Sequence, residues 1–186
     1  GIVHFTKGEL REAISDFSSA ISLNPKDYMA YYQRAKVYDY QNDDEHAIAD
    51  YTDAIQADPT FVLAYYYRGI IYQRQKNLDA AIVDYTQIIE KNLGPEVIRA
   101  NAYNNRGIAY DKKGEYQKAI NDYNDATVFA PDLVHVYYNR GRTYVNMGAY
   151  TLALADFDKE LSFHPRLFAA KHYREALMHF TQQHYV

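Results

Sequence analysis

The sequence predicts an all-α protein, a solenoid of stacked helix-turn-helix units, and three observations carry that prediction. A 24-residue pattern recurs without gaps: YYQRAKVYDYQNDDEHAIADYTDA from Tyr31, YYYRGIIYQRQKNLDAAIVDYTQI from Tyr65, YNNRGIAYDKKGEYQKAINDYNDA from Tyr103 and YYNRGRTYVNMGAYTLALADFDKE from Tyr137. Units counted from three residues before the first tyrosine start at Tyr28, Val62, Ala100 and Val134, giving spacings of 34, 38 and 34 residues. The apolar fraction rests on 21 tyrosines and many alanines rather than on leucine and valine, which suits thin, repeated interfaces better than one thick core.

Run backwards from Tyr28, the same register puts Gly1 at slot 8 of an earlier unit, with Ala13, Phe17, Ala20 and Pro25 in place. The chain therefore reads as starting inside a helix, as a piece of something longer, with a partial repeat over 1–27. Full repeats are expected at 28–61, 62–99, 100–133 and 134–167 and a capping helix at 168–186, all in one array. Slots 4, 8 and 11 share one side of a first helix, and slots 20, 24 and 27 share one side of a second, at 3.6 residues per turn. Slot 8 is small throughout (Gly1, Ala35, Gly69, Gly107, Gly141) and slot 20 is always alanine (Ala13, Ala47, Ala81, Ala119, Ala153). The two backbones of a pair can thus approach closely while tyrosines fill the space beside them. Pro25, Pro59, Pro131 and Pro165 stand just before or at the start of each next first helix, where a missing N–H costs nothing. Between the third and fourth repeats LGPEVIRA adds four residues, and Pro95 is placed to open a longer helix.

Eleven helices are expected in all, the last running from about Phe168 to His184. In it Lys171 and Glu175 stand where other repeats have a tyrosine and a small residue, so no further helix can pack closely. This helix should end the stack with Phe168, Ala176, Leu177 and Phe180 turned inward and Lys171 reaching Glu160. The other end has no such cover, which makes residues 1–22 the expected route of any self-association.

Tyrosine at slot 4 (Tyr31, Tyr65, Tyr103, Tyr137), the small residue at 8, alanine at 20, an aromatic at 24 and proline at 32 together resemble the tetratricopeptide repeat over essentially the whole chain. Leu93 departs from the closing proline, Ile88 and Glu160 from the second alanine, and His4 from a tyrosine. The resemblance implies a right-handed α-solenoid whose first helices line a concave groove. It also implies a protein-protein interaction scaffold that holds an extended peptide or partner segment there. The alternative is a non-catalytic substrate-positioning or regulatory arm of a larger enzyme.

Two charged slots repeat as strictly as the apolar ones. Slot 7, most often leucine in that family, is Arg34, Arg68, Arg106, Arg140 and Arg174, while slot 23 is Asp16, Asp50, Asp84, Asp122 and Asp156. Joining each aspartate to the arginine of the following unit leaves none unmatched: Asp16 with Arg34, Asp50 with Arg68, Asp84 with Arg106, Asp122 with Arg140, Asp156 with Arg174. These pairs are expected as inter-repeat staples, which fix stacking geometry more than they add stability.

The remaining slots of the first helices are the candidate binding positions. They hold Tyr32, Gln33 and Lys36 in one repeat and Tyr66, Tyr67 and Ile70 in the next. Asn101, Asn104, Asn105 and Ile108 follow, then His135, Tyr138, Asn139 and Arg142. Tyrosines offer wide contact area at low entropy cost, and amides can pair with the backbone of an extended peptide. Lys36, Arg74, Lys112 and Arg142 against Asp39 and Asp111 make the face slightly positive on a chain of net charge −4, which suits a ligand of some acidic character. Chaperone-binding members of the family clamp a terminal carboxylate with a lysine at slot 5 and a basic pair further on. Slot 5 here is Tyr32, Tyr66, Asn104 and Tyr138, and no unit has the pair, so that clamp is not supported.

Other function classes fare poorly. The net negative charge disfavours nucleic acid, no apolar run could span a bilayer, and the absence of cysteine removes thiolate metal sites. Asp43–His46 reads as acidic residues at a helix start rather than as a metal site. His164, His172, His179 and His184 crowd the carboxy-terminal end without a carboxylate at ligand spacing. No cofactor, metal or catalytic residue is expected, and compartment and partner identity are left open.

Overall fold

In the computed structural model, which describes residues 1–184, the described chain is helix and turn without a strand. Residues 185 and 186 of the expected cap lie outside the described residues. Among those described there are eleven helices: α1 (Ile2–Thr6), α2 (Leu10–Leu23), α3 (Tyr28–Tyr40), α4 (Asp44–Ala57), α5 (Val62–Arg74), α6 (Leu78–Glu90), α7 (Glu96–Lys112), α8 (Tyr116–Phe129), α9 (Val136–Asn146), α10 (Tyr150–Phe163) and α11 (Phe168–His184). They form two compact units, Gly1–Gly94 and Pro95 onward.

Local chemistry sets the helix ends. Asp27 caps α3 by accepting from the N–H groups of Met29 and Ala30, and Asn77 caps α6 through Ala80. The turn inside each pair crosses slot 15 in the left-handed region, at Gly8, Asn42, Lys76, Gly114 and Gly148, with φ between 58° and 79°. Glycine and asparagine suit that conformation; Lys76 does not. Pro95 stands at the N-cap of α7, and the four inserted residues make that helix 17 residues long.

Packing within a pair runs through slots 8 and 24. Tyr51, Tyr85, Tyr123 and Phe157 are fully buried. A Cβ on Gly107 would come within 2.8 Å of the Tyr123 ring, and one on Gly141 within 2.8 Å of Phe157. Those rings occupy the space a side chain would need.

The arginine–aspartate pairing differs from expectation: each arginine bonds the aspartate of its own repeat, 16 residues on. Arg34, Arg68 and Arg140 each donate Nε and Nη2 to Asp50, Asp84 and Asp156 at 2.6–2.9 Å, and Arg106 does the same to Asp122. The chain ends, which suggested the other pairing, find different partners. Asp16 binds the terminal amine and His4, and Arg174 binds Asp158 rather than Asp156. The link to the preceding repeat exists, but through the third nitrogen. Nη1 of Arg34 donates to Ser18, that of Arg68 to Thr52 and that of Arg140 to Asn124, all at slot 25. Asp158 occupies the same slot.

Tyrosines at slots 4 and 11 explain why this charge can sit in a packing stripe. Arg68 lies 5.9 Å from the ring centres of both Tyr65 and Tyr72, and Arg106 lies 5.6 and 5.9 Å from Tyr103 and Tyr110. Spacings of three and four place an aromatic on each side of the guanidinium. Burial pushes the Asp84, Asp122 and Asp156 carboxyls up, and the adjacent guanidinium opposes it. The pairs therefore position the helices more than they add net stability.

Two further expectations need correction at the carboxy-terminal end. Glu160, fully buried, turns away from Lys171: it accepts from the N–H groups of His135 (3.0 Å) and Tyr138 (3.2 Å) and meets His164 Nδ1 at 2.9 Å. A carboxylate at slot 27 thus caps α9, which starts at Val136 behind a left-handed His135. In α11 the buried side chains are Ala170 and Leu177, two turns apart, whereas Phe168 is 79 % and Phe180 40 % exposed. Phe168 lies off the inward stripe because two residues along a helix turn about 200°.

Candidate functional site

The expected binding positions divide into three groups. Tyr32 and Asn104 belong to the packing: Tyr32 is 6 % exposed among Tyr51, Phe61 and Tyr67, and Asn104 is 7 % exposed and accepts from the Asn139 amide at 3.1 Å. Gln33, Lys36, Tyr66, Tyr67, Ile70, Asn101, Asn105, Ile108, Tyr138 and Asn139 are half-buried, and Arg142 is exposed. Slot 5 is thus interior in the repeats of Tyr32 and Asn104 and half-buried in those of Tyr66 and Tyr138.

In the amino-terminal unit the surface is aromatic. Tyr67 meets Tyr66 edge-on at 5.5 Å and stacks on Tyr51 at 6.2 Å, and Lys36 lies over the rings of Tyr32 and Phe5 at 5.5 and 5.9 Å. Burial pushes the Tyr32 hydroxyl up to about 12 and raises Tyr51 further, so both stay protonated. The Tyr51 hydroxyl is buried without a hydrogen-bond partner among the described residues. At the same slot Tyr85 donates to Gln73, but the matching slot-12 residue in the repeat of Tyr51 is Asp39, which accepts from Arg74 at 2.8 Å. Arg74 also binds Asp44. It therefore adds no unpaired charge to this face.

The carboxy-terminal unit is richer in amides. Asn101 donates to the Val97 carbonyl at 2.7 Å, and Asn139 to Asn104; each amide keeps further hydrogen-bonding capacity. Asp111 accepts from Thr143 at 2.7 Å and from Asn146 at 3.5 Å. Arg142 has its guanidinium carbon 5.8 Å from both the Tyr138 and Tyr173 rings and no ion pair among the described residues. Tyr173, on α11, was not anticipated. Its signal was present, since it occupies slot 6 of the last helix, the slot of Gln33, Tyr67, Asn105 and Asn139.

No group of three or more potential metal ligands occurs among the described residues, and His46 instead pairs with Asp43 at 2.8 Å. No helix of the described residues is long and apolar enough to cross a membrane.

Comparison with known proteins agrees with this architecture. A family model described as tetratricopeptide repeat matches residues 61–128, and one described as TPR repeat matches 40–76 and 109–148. Comparison with curated protein sequences finds no match. Among solved structures, MamA is 26 % identical over 88 % of this chain and 93 % of its own, with a TM-score of 0.80. A tetratricopeptide repeat protein from Parabacteroides merdae is 27 % identical over 87 % of this chain and 62 % of its own, at 0.68. PilW, a type IV pilus biogenesis factor, covers 99 % of this chain and 90 % of its own at 0.77, and at 18 % identity that likeness concerns the fold alone. With the repeated helix pairs and the slot pattern that both models match, the chain belongs to the tetratricopeptide-repeat proteins.

Proposed function

We propose that this chain is a non-catalytic scaffold whose units bind extended segments of a protein partner along the exposed faces of their first helices. Tetratricopeptide-repeat proteins bind protein partners, and the observation that carries the reading here is the chemistry at slots 6 and 9. Gln33, Tyr67, Asn105 and Asn139 are half-buried at the first slot, beside Lys36, Ile70, Ile108 and Arg142 at the second. Amides or a tyrosine at slot 6, one helical turn from an apolar or basic residue at slot 9, offer a bound segment donors, acceptors and apolar area together. The Asn139 amide serves the packing too, through Asn104, and keeps its oxygen for a ligand.

The test is selection from a displayed library of random ten-residue peptides, followed by titration of the enriched peptides against wild type, Tyr66→Ser and Asn105→Ser. Enriched peptides should lose at least tenfold in affinity against one of the variants. Selection of nothing, or of peptides indifferent to both, overturns the reading.

A further inference from the structure

We infer that the carboxy-terminal unit carries a composite subsite, an apolar pocket with an arginine free of any ion pair at its rim, for an extended segment bearing a large apolar side chain two residues away from an internal aspartate or glutamate. The inference rests on the groove reading above and narrows it to a residue pattern.

The pocket is lined by Val145, Tyr150, Tyr173, Ala176, Leu177 and Phe180 and measures about 270 Å³. Small-molecule clefts run from about 300 to 1,000 Å³, so this one suits a single large side chain better than a free ligand. Leu177 packs with Phe157 and Ala153 beneath it, and the Tyr150 and Phe180 rings meet edge-on at 5.3 Å. The walls are thus supported from behind. Phe180 is nonetheless 40 % and Tyr173 38 % exposed, on the helix whose structural task is to hide apolar surface. Tyr173 covers Phe157 and Phe180 covers Tyr150, yet each ring leaves more than a third of itself open to a ligand.

Arg142 supplies the second half. Arg34, Arg68, Arg106 and Arg140 each face an aspartate and Arg74 faces two, but Arg142 is exposed, seated between Tyr138 and Tyr173, with no carboxylate of the described residues in range. Its fork of N–H donors matches a carboxylate. Asp111 is already engaged by Thr143 and Asn146.

Tyr173 joins the two halves, since its ring is both a wall of the pocket and one side of the arginine's seat. Alternate side chains of an extended segment point the same way about 7 Å apart, a span comparable to the 5.8 Å from guanidinium to ring. An apolar residue in the pocket therefore brings a carboxylate two positions away along the segment toward Arg142. A single cation fits a side-chain carboxylate, and an internal acid leaves the chain free to continue past the Asn139 amide.

The random-peptide library above tests this with the full chain. Enriched peptides are expected to carry Phe, Tyr, Leu, Ile or Met two positions from Asp or Glu, in one constant order. Arg142→Gln should cost them at least tenfold and erase their preference for Glu over Gln, while Phe180→Ser should erase the preference for the apolar residue. Circular dichroism on both variants confirms that the helices remain. Enriched peptides that respond to Asn105→Ser but not to Arg142→Gln overturn this inference and leave the groove reading standing. Enrichment that depends on a free terminal carboxylate overturns it as well, and no enrichment at all removes both.

Discussion

Arg106 and Asp122 face each other through two parallel bonds, Nε to Oδ2 and Nη2 to Oδ1, both 2.8 Å, with side chains only 15 % and 6 % exposed. Breaking a buried pair from one side leaves an uncompensated charge, so Asp122→Ala is expected to cost about 3–5 kcal/mol. Replacing both by leucine should cost less than that single change, because no charge is stranded. Urea unfolding decides it, and an Asp122→Ala variant as stable as wild type would contradict the structural role.

Lys76 is the one slot-15 residue that is neither glycine nor asparagine, at φ 63°. A left-handed residue with a side chain costs about 1–2 kcal/mol, partly offset by the greater freedom glycine has when unfolded. Lys76→Gly should therefore stabilise by about 0.5–1 kcal/mol. A fall in the thermal midpoint would show that the lysine makes a compensating contact.

Asp43 raises the pKa of His46 by hydrogen bonding, and is itself held low by His46. The raised imidazole contributes stability in full below its ordinary pKa, about 6.5, and loses it as pH rises through the raised value. The depressed carboxylate contributes above about pH 3.9 and loses it as pH falls through the lowered value. The pair is thus most stabilising between about pH 4 and 6.5. Nuclear magnetic resonance titration should show the His46 pKa falling in Asp43→Asn, which keeps the cap oxygen; no change would mean the pair does not persist in solution.

Glu160→Ala restores the residue usual at slot 27 yet should destabilise, by about 2–4 kcal/mol, because the N–H groups of His135 and Tyr138 lose a charged acceptor. Amide hydrogen exchange at the start of α9 should rise first. Unchanged protection there would mean that water replaces the carboxylate without loss.

Deleting residues 168–186 uncovers Ala153 and Phe157, against which Leu177 packs. The truncated chain is expected to self-associate at concentrations where the intact one scatters light as a single species. A deletion variant that stays monomeric would refute the capping role.

Much of this was legible because a repeated sequence contains its own controls. The gapless 24-residue match located the helix pairs, and Pro95 with its four-residue insertion announced the long α7. The pairing of Arg106 was not legible, because counting unmatched ends assumed that only slots 7 and 23 could supply partners. His4, the terminal amine and Asp158 supply them instead. Tyr32 was misplaced for a different reason. Tyr31 and Tyr32 are adjacent, tyrosine is tolerated inside and outside, and only the neighbouring rings of Phe61 and Tyr67 turn one of them inward. Glu160 was read as a misfit because its partners are backbone N–H groups, which no side-chain pattern reveals.

The slot-25 acceptors Ser18, Thr52, Asn124 and Asp158 make the joints of this chain individually addressed. Where the incoming helix belongs to a complete pair, its arginine is already neutralised and asks only for a neutral oxygen. Arg174 of α11 instead takes its counter-charge from the repeat before it, through Asp158. Grafting α11 behind a repeat that ends in serine would strand that arginine, while placing Asp158 at an inner joint would set a second carboxylate beside one already satisfied. One residue in each unit thus matches the arginine that packs on it, and a rearranged array would have to rewrite it.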